Sequence, residues 1–144
     1  MAWVPYDNGK LIQYSGSADA IDFATAGDTL KISLHTVTYV PARATHDFFN
    51  DVTNEVTGTN YTAGGVTLAS KTLAVSANVL TFDAADVTWS QNAGGFANAR
   101  IAVLYKDTGT PSTSPLVAFY DLGSDKGNVA GDLVLGTPSG IFTI

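Results

Sequence analysis

Two histidines, His35 and His46, are the only imidazoles in this 144-residue chain, and with no cysteine present no other side chain has an ordinary pKa near neutrality. A histidine base or a zinc site needs partners at defined spacing, such as the i, i+4 pair of a metalloprotease helix, and these two stand in different segments. Each reads as structural: His35 at the end of a strand with a backbone partner, His46 in the first turn of a short helix. Asp47, Asp51 and Glu55 recur every four residues and would stack on one helical face as metal ligands if that helix ran on, but β-branched Val52 and Thr53 predict that it stops near Asn50. Asp83 and Asp86, in FDAADVTW, have the residue types of a glycosidase carboxylate pair or of oxygen ligands to calcium; capping of the turn between two strands is the preferred reading. There is no G-x-S-x-G elbow, no phosphate loop and no G-x-G-x-x-G. The expectation is a protein that is not an enzyme, with no catalytic, cofactor-binding or metal-ligating residues.

The aromatic residues divide differently. Trp89 shares a strand face with Val87, which predicts a core position; an exposed Trp89 would instead suggest a platform for stacking a sugar. Trp3 and Tyr6 flank Pro5 near the chain end and are expected to anchor the N-terminus onto a neighbouring subunit.

The elements that would position these groups are mostly strands. Threonine and valine are abundant, and runs of alternating polarity are separated by Gly, Asn, Asp or Pro. Candidate strands are 10–14, 29–36, 65–69, 71–75, 79–83, 87–90, 132–136 and 141–144, together with a hairpin over 96–121. Short helices are predicted over 18–24 and 45–50, the second with Thr45 as N-cap and Asp47 in its first turn. Leu30, Ile32 and Leu34 alternate with Thr29, Lys31 and Ser33 and should show one face to the core. In the hairpin, Ala99, Ile101, Val103 and Tyr105 share one face, expected to fill the interior. The other face carries Ala102 and Leu104 between Arg100 and Lys106, and these two apolar residues are expected to meet a neighbouring subunit. The tip from Asp107 to Ser114 is expected to have no catalytic duty. The predicted class is all-β: a two-sheet antiparallel sandwich, jelly-roll-like or alternatively immunoglobulin-like, with one or two short helices. Residues 1–27 form an N-terminal segment and 28–144 the sandwich domain.

Composition restricts partners. A formal charge of −6 with seven scattered cations argues against a nucleic-acid groove. Charged residues make up 14% of the chain, against about 25% in ordinary soluble domains, which suits a surface partly covered in an assembly. The opening MAWVPYDNGKLIQY lacks a basic stretch followed by an apolar one, and no window approaches the roughly 20 apolar residues of a membrane span, so a soluble protein made in the cytoplasm is expected, with no membrane partner.

Three blocks carry a resemblance: DTLKISLHTVTYVP running into HDFFNDVTNEVTGTNYTAGGVTL, then FDAADVTW, then ARIAVLYKDTGTPSTSPLVAFYDLGSD with the ending GIFTI. From about Asp28 to Ile144 the chain resembles a family of small structural proteins of tailed bacteriophages, whose members are known chiefly as virion proteins. The resemblance implies a particle component without catalytic residues, best assigned as a decoration, or cement, protein on the outer capsid surface, commonly a homotrimer between capsomers, with the major capsid protein as partner. In that setting Trp3 and Tyr6 would grip the capsid protein. The matching positions His46, Phe48, Phe49, Tyr61, Gly64, Gly65, Trp89, Tyr105, Asp107, Gly123 and Asp125 read as fold-defining. A tail, baseplate or fibre component with a carbohydrate-binding role in host recognition is the alternative.

Overall fold

A computed structural model describes residues 2–24, 26–77 and 79–136 of the chain. The predicted strand 141–144 lies outside the described residues. The molecule is mostly β, its sheets are antiparallel, and among the described residues it carries one α-helix. In chain order the elements are β1 (Val4–Pro5), α1 (Asp7–Tyr14), β2 (Leu30–His35), β3 (Val66–Thr67), β4 (Thr72–Ser76), β5 (Val79–Asp83), β6 (Val87–Trp89), β7 (Ala99–Lys106), β8 (Leu116–Lys126) and β9 (Leu133–Leu135). A five-stranded sheet has the order β1-β8-β7-β2-β3, while β4-β5 and β6-β9 form two-stranded ribbons.

The β7–β8 hairpin is the centre of the large sheet. Opposed residues of an antiparallel pair lie on one face, so the register Ile32↔Leu104, Leu34↔Ala102 and Leu104↔Ala118 puts these side chains together. They join the larger core, with Ile12, Phe23, Val56, Phe82, Val87, Trp89, Phe96 and Leu135. The opposite face sets Ser33 against Val103 and His35 against Ile101, and there Ile101, Val103 and Tyr105 form a second cluster with Tyr6, Tyr39 and Leu116. Phe49 and Val52, from the long connection after β2, pack on it. Both faces of β7 are therefore covered by this chain's own residues, and fully buried strands read as near-continuous apolar runs.

Three local expectations change. Residues 10–14 are not a strand but the end of α1, whose first turn carries Asp7 at the positive end of the helix dipole. Gly9 allows this helix to lie on β8, since a Cβ there would sit 2.5 Å from the Leu116 carbonyl oxygen. No helix forms over 18–24 among the described residues, although Ile21 and Phe23 are buried in the core. The segment 45–50 makes only a turn and the start of a 3-10 turn at Phe49–Asp51; Asp51 Oδ2 accepts from the backbone N–H groups of Asp47 and Phe48, doing the capping expected of Thr45.

Gly64 and Gly65, among the positions read as fold-defining, adopt left-handed turn dihedrals, at φ +88° and +83°. At Gly65 the requirement is double, because a Cβ would lie 1.9 Å from the Ile32 carbonyl oxygen.

Candidate functional site

His35 has the most specific surroundings of any titratable group. Its Nδ1 lies 2.8 Å from the Thr53 carbonyl oxygen, which can only accept, so Nδ1 carries the proton. Nε2 is then the bare nitrogen and accepts from the Ser33 hydroxyl at 2.8 Å. A hydroxyl held on an imidazole whose far nitrogen is fixed by an acceptor is the arrangement of a nucleophile and its base. Here both side chains are sealed in, Ser33 at 0% and His35 at 1% exposure, so no substrate reaches them and the pair serves packing. In the sequence the pair shows only as S-x-H, two polar residues on one strand face, a pattern that matches no catalytic motif.

Burial lowers the His35 pKa from 6.5 to about 4, against a smaller opposite push from the Thr53 bond. The unfolded chain takes up a proton below pH 6.5 while the native state resists until about 4. Stability from this site is thus complete above pH 6.5 and drains as pH falls to 4, by about 3 kcal/mol in all. Urea titrations at pH 7 and pH 4 of the native chain and of His35→Gln test this. The variant is expected to lose most of that pH dependence, and an unchanged difference between the two pH values would refute the assignment.

His46 sits apart in sequence, yet the fold brings it to the same neighbourhood through Tyr39. The His46 ring stacks on Tyr39 at 5.7 Å, and the His35 ring lies 5.3 Å from it. A chain of polar atoms runs from Tyr6 Oη to Tyr39 Oη at 2.8 Å and on to His46 Nδ1 at 3.1 Å. Burial, and then the bond to Tyr39, push the Tyr6 phenol far above its ordinary range, so it stays neutral. Among the described residues no group of three acidic or histidine side chains is placed to hold a metal ion.

The acidic candidates separate. Asp51 is occupied with backbone N–H groups, while Glu55 Oε1 accepts from the Tyr61 hydroxyl and the Gly64 N–H, each at 2.6 Å. Asp83 ends β5 and its Oδ1 accepts from the Ala84 N–H at 2.9 Å, consistent with the turn-capping reading, and Asp86 is exposed at the start of β6.

Four residues expected to touch another chain are turned inward. Ala102 and Leu104 are 0% exposed and belong to the larger core, because the face of β7 taken as outer is the one that meets the ribbons and α1. Ile101, Val103 and Tyr105, expected to line the main interior, face the smaller cluster instead. Trp3 and Tyr6 do not reach outward either: β1 pairs with β8, which places the Trp3 ring 5.6 Å from Tyr120 and the Tyr6 ring 5.3 Å from Phe119. Trp89 is 1% exposed, as expected of a core residue, within a cluster with Tyr61 and Phe96.

Where separate sequence blocks do converge is Tyr105. Phe49 stacks on its ring at 4.0 Å and 11°, and its hydroxyl donates to the Gly64 carbonyl at 2.6 Å. Asp107, two residues on, pairs with Lys31 of β2 at 2.6 Å. Beyond it the hairpin tip is tied by its own hydroxyls, Thr108 bonding Thr113 and Ser114. Compared with family models, curated proteins and solved structures, the chain matches none.

Proposed function

We propose that this chain is a non-enzymatic structural protein of a tailed-bacteriophage particle, a decoration protein on the outer capsid surface that stabilises the head by bridging capsomers as a homotrimer bound to the major capsid protein. The observation that carries this reading is the convergence on Tyr105. The HDFF, YTAGG and VLYKD blocks, distant in sequence and each part of the resemblance to virion proteins, interlock there through Phe49, Gly64 and Tyr105 itself. They behave as one framework, which is what shared residues of a structural family would do. The sealed state of the Ser33–His35 pair is compatible with it, as is the low content of charged residues.

With that role goes the finer architectural reading, a two-sheet antiparallel sandwich with jelly-roll-like connections. The five-stranded sheet would be one layer, and the β4–β5 and β6–β9 ribbons would contribute to the other. Phe82, Val87, Trp89 and Leu135 of the ribbons share a core with Ile32, Leu104 and Ala118 of the sheet, which supports this layering. Cement function needs area repeated by symmetry rather than a reactive group. Residues exposed on the folded chain must supply it, among them Val37 at 60% and Val40 at 73% exposure in the connection after β2. A sugar-binding tail or fibre module would draw support from an exposed aromatic platform at Trp89, and the burial of Trp89 withholds it.

The test is a count of copies per purified particle together with native mass spectrometry of the free protein. Hundreds of copies on the shell and a trimer in solution are expected. A few copies per particle, or a monomer at high concentration combined with undiminished stability of particles lacking the protein, would sink the proposal.

A further inference from the structure

Two exposed apolar patches of opposite charge belong to elements on opposite sides of the five-stranded sheet. The first forms where α1 meets the connection after β2. Asp7 donates its backbone N–H to the Arg43 carbonyl oxygen at 3.0 Å, and its carboxylate is shared by Arg43 at 3.1 Å and Lys10 at 3.6 Å, two cations on one acid. With them go Leu11, one helical turn on from Asp7 and 65% exposed, and Val37 and Val40 of the connection, at 60% and 73%. Asp47 and Asp51, further along that connection, are half-buried, and Asp51 is turned onto the backbone N–H groups of Asp47 and Phe48. The second patch is the outer face of the β6–β9 ribbon. Thr88 opposes Val134, so the two share a face, and alternation extends that face to Asp86 and Asp132, all four exposed. Val134 is 53% exposed, and both charges on its face are carboxylates. Gln91 donates from its backbone N–H to Asp132 Oδ1 at 2.7 Å and from Nε2 to the Val129 carbonyl oxygen at 2.8 Å, which holds Val129, 38% exposed, at the end of the same ribbon.

The fold sets the patches apart. Val87, Trp89 and Leu135, on the inner face of the β6–β9 ribbon, pack in the larger core with Ala102 and Leu104 of β7. Tyr39, from the connection that carries Val37 and Val40, packs in the smaller cluster with Ile101 and Val103, on the other face of β7. A neighbour seated on the first patch therefore cannot also reach the second, and each copy keeps one patch for the next copy. A contact of this head-to-tail kind repeats until it closes as a ring. The charges choose the pairing: two copies of the cationic patch repel, two copies of the acidic face repel, and the cationic patch attracts the acidic face. The exposed valines and Leu11 supply the apolar centre that such a polar rim surrounds. We propose that the chain assembles head to tail, the Leu11, Val37 and Val40 patch of one copy seated on the outer β6–β9 face of the next, with three copies closing the ring. The number three rests on the decoration-protein reading, whereas the contact is carried by the two patches themselves.

The absence of cysteine makes a clean test possible in the full-length chain. Chains carrying Val40→Cys and chains carrying Val134→Cys are mixed in equal amounts and treated with a short bismaleimide linker. Bridges from residue 40 to residue 134 are expected to outnumber bridges between like chains by at least about ten-fold, since only the unlike pair is held together. Equal yields, or an excess of either like pair, overturn the proposal. Native mass spectrometry of two further variants gives a second reading. Val40→Asp sets an acid against the acidic face and Val134→Lys sets a cation against the cationic patch, and each is expected to weaken assembly by at least about ten-fold. Both positions are exposed on the folded chain, so the melting temperature of the dilute protein should not move. A trimer that survives both substitutions, or that is lost with one and not the other, overturns this contact and leaves the decoration reading standing. A native chain that is monomeric at high concentration also overturns it, while the count of copies per particle judges the decoration reading separately.

Discussion

Replacing Leu104 by alanine lowers stability by roughly 2–5 kcal/mol, and does so at every protein concentration. Leu104 is fully buried between Ile32 of β2 and Ala118 of β8, within the larger core. Removing its branched end deletes apolar contacts and leaves a cavity that two flanking strands cannot close by moving, because each is hydrogen-bonded to β7. For a chain of this size the melting temperature should fall by about 6–15 °C. Concentration dependence is the decisive readout. A subunit contact at Leu104 would produce a loss of stability that depends on dilution, whereas a core position gives a loss that does not. Calorimetry over a hundred-fold concentration range separates the two, and a melting temperature unchanged by the substitution would contradict the core placement outright.

Asn128→Ala should be at least as damaging, at about 3–5 kcal/mol, although it removes little apolar surface. Asn128 is 0% exposed, and its side chain holds three separate stretches of backbone. Oδ1 accepts from the Phe96 N–H at 2.9 Å, while Nδ2 donates to the carbonyl oxygens of Ser90 at 2.9 Å and Thr59 at 3.2 Å. Alanine leaves the Phe96 N–H and the Thr59 carbonyl without this partner, while the Ser90 carbonyl keeps a bond from Asn60 Nδ2 at 3.1 Å. Asn128→Asp keeps the acceptor but loses both donations and places a charge in the interior, and should be worse. Chemical denaturation gives the size of the effect. Because Phe96 packs edge-on against Trp89 at 6.5 Å, a red shift of tryptophan emission in the folded state reports the same loosening. If Asn128→Ala retains native stability within about 0.5 kcal/mol, as surface substitutions do, the clasp is not what orders these loops.

The strands were legible where alternation and turn residues agreed. Val79–Asp83 is a strand with the expected bounds, and β2, β6 and β9 differ from expectation only at their ends. What the alternation in β7 did not reveal was the destination of each face. Ala102 and Leu104 look surplus to a single core when the cover on the other side is an irregular connection carrying Tyr39, Phe49 and Val52, which has no period to read. Helix α1 was hidden for a related reason: KLIQY is too short to show a period, and Gly9 lowers helix propensity, so the choice is made by the close approach to Leu116. The Ser33–His35 pair could be found only by combining strand periodicity with donor and acceptor roles. Asn128 gave no local signal, since all three of its partners are distant in sequence.

The double cover of β7 also alters what specifies strand alignment. In a strand with one wet face, slipping by one residue exposes the apolar set and is forbidden by water. In β7 a slip would exchange Ile101, Val103 and Tyr105 for Ala102 and Leu104, apolar for apolar, and burial alone discriminates only by volume. Alignment is encoded at the ends instead. Arg100 Nε donates to Asp121 Oδ1 at 2.6 Å, and Lys106 Nζ lies 3.1 Å from Asp28 Oδ2. These partly buried charges add little to the depth of the native well, yet they mark one register of β7, the first pair against β8 and the second against the segment that leads into β2.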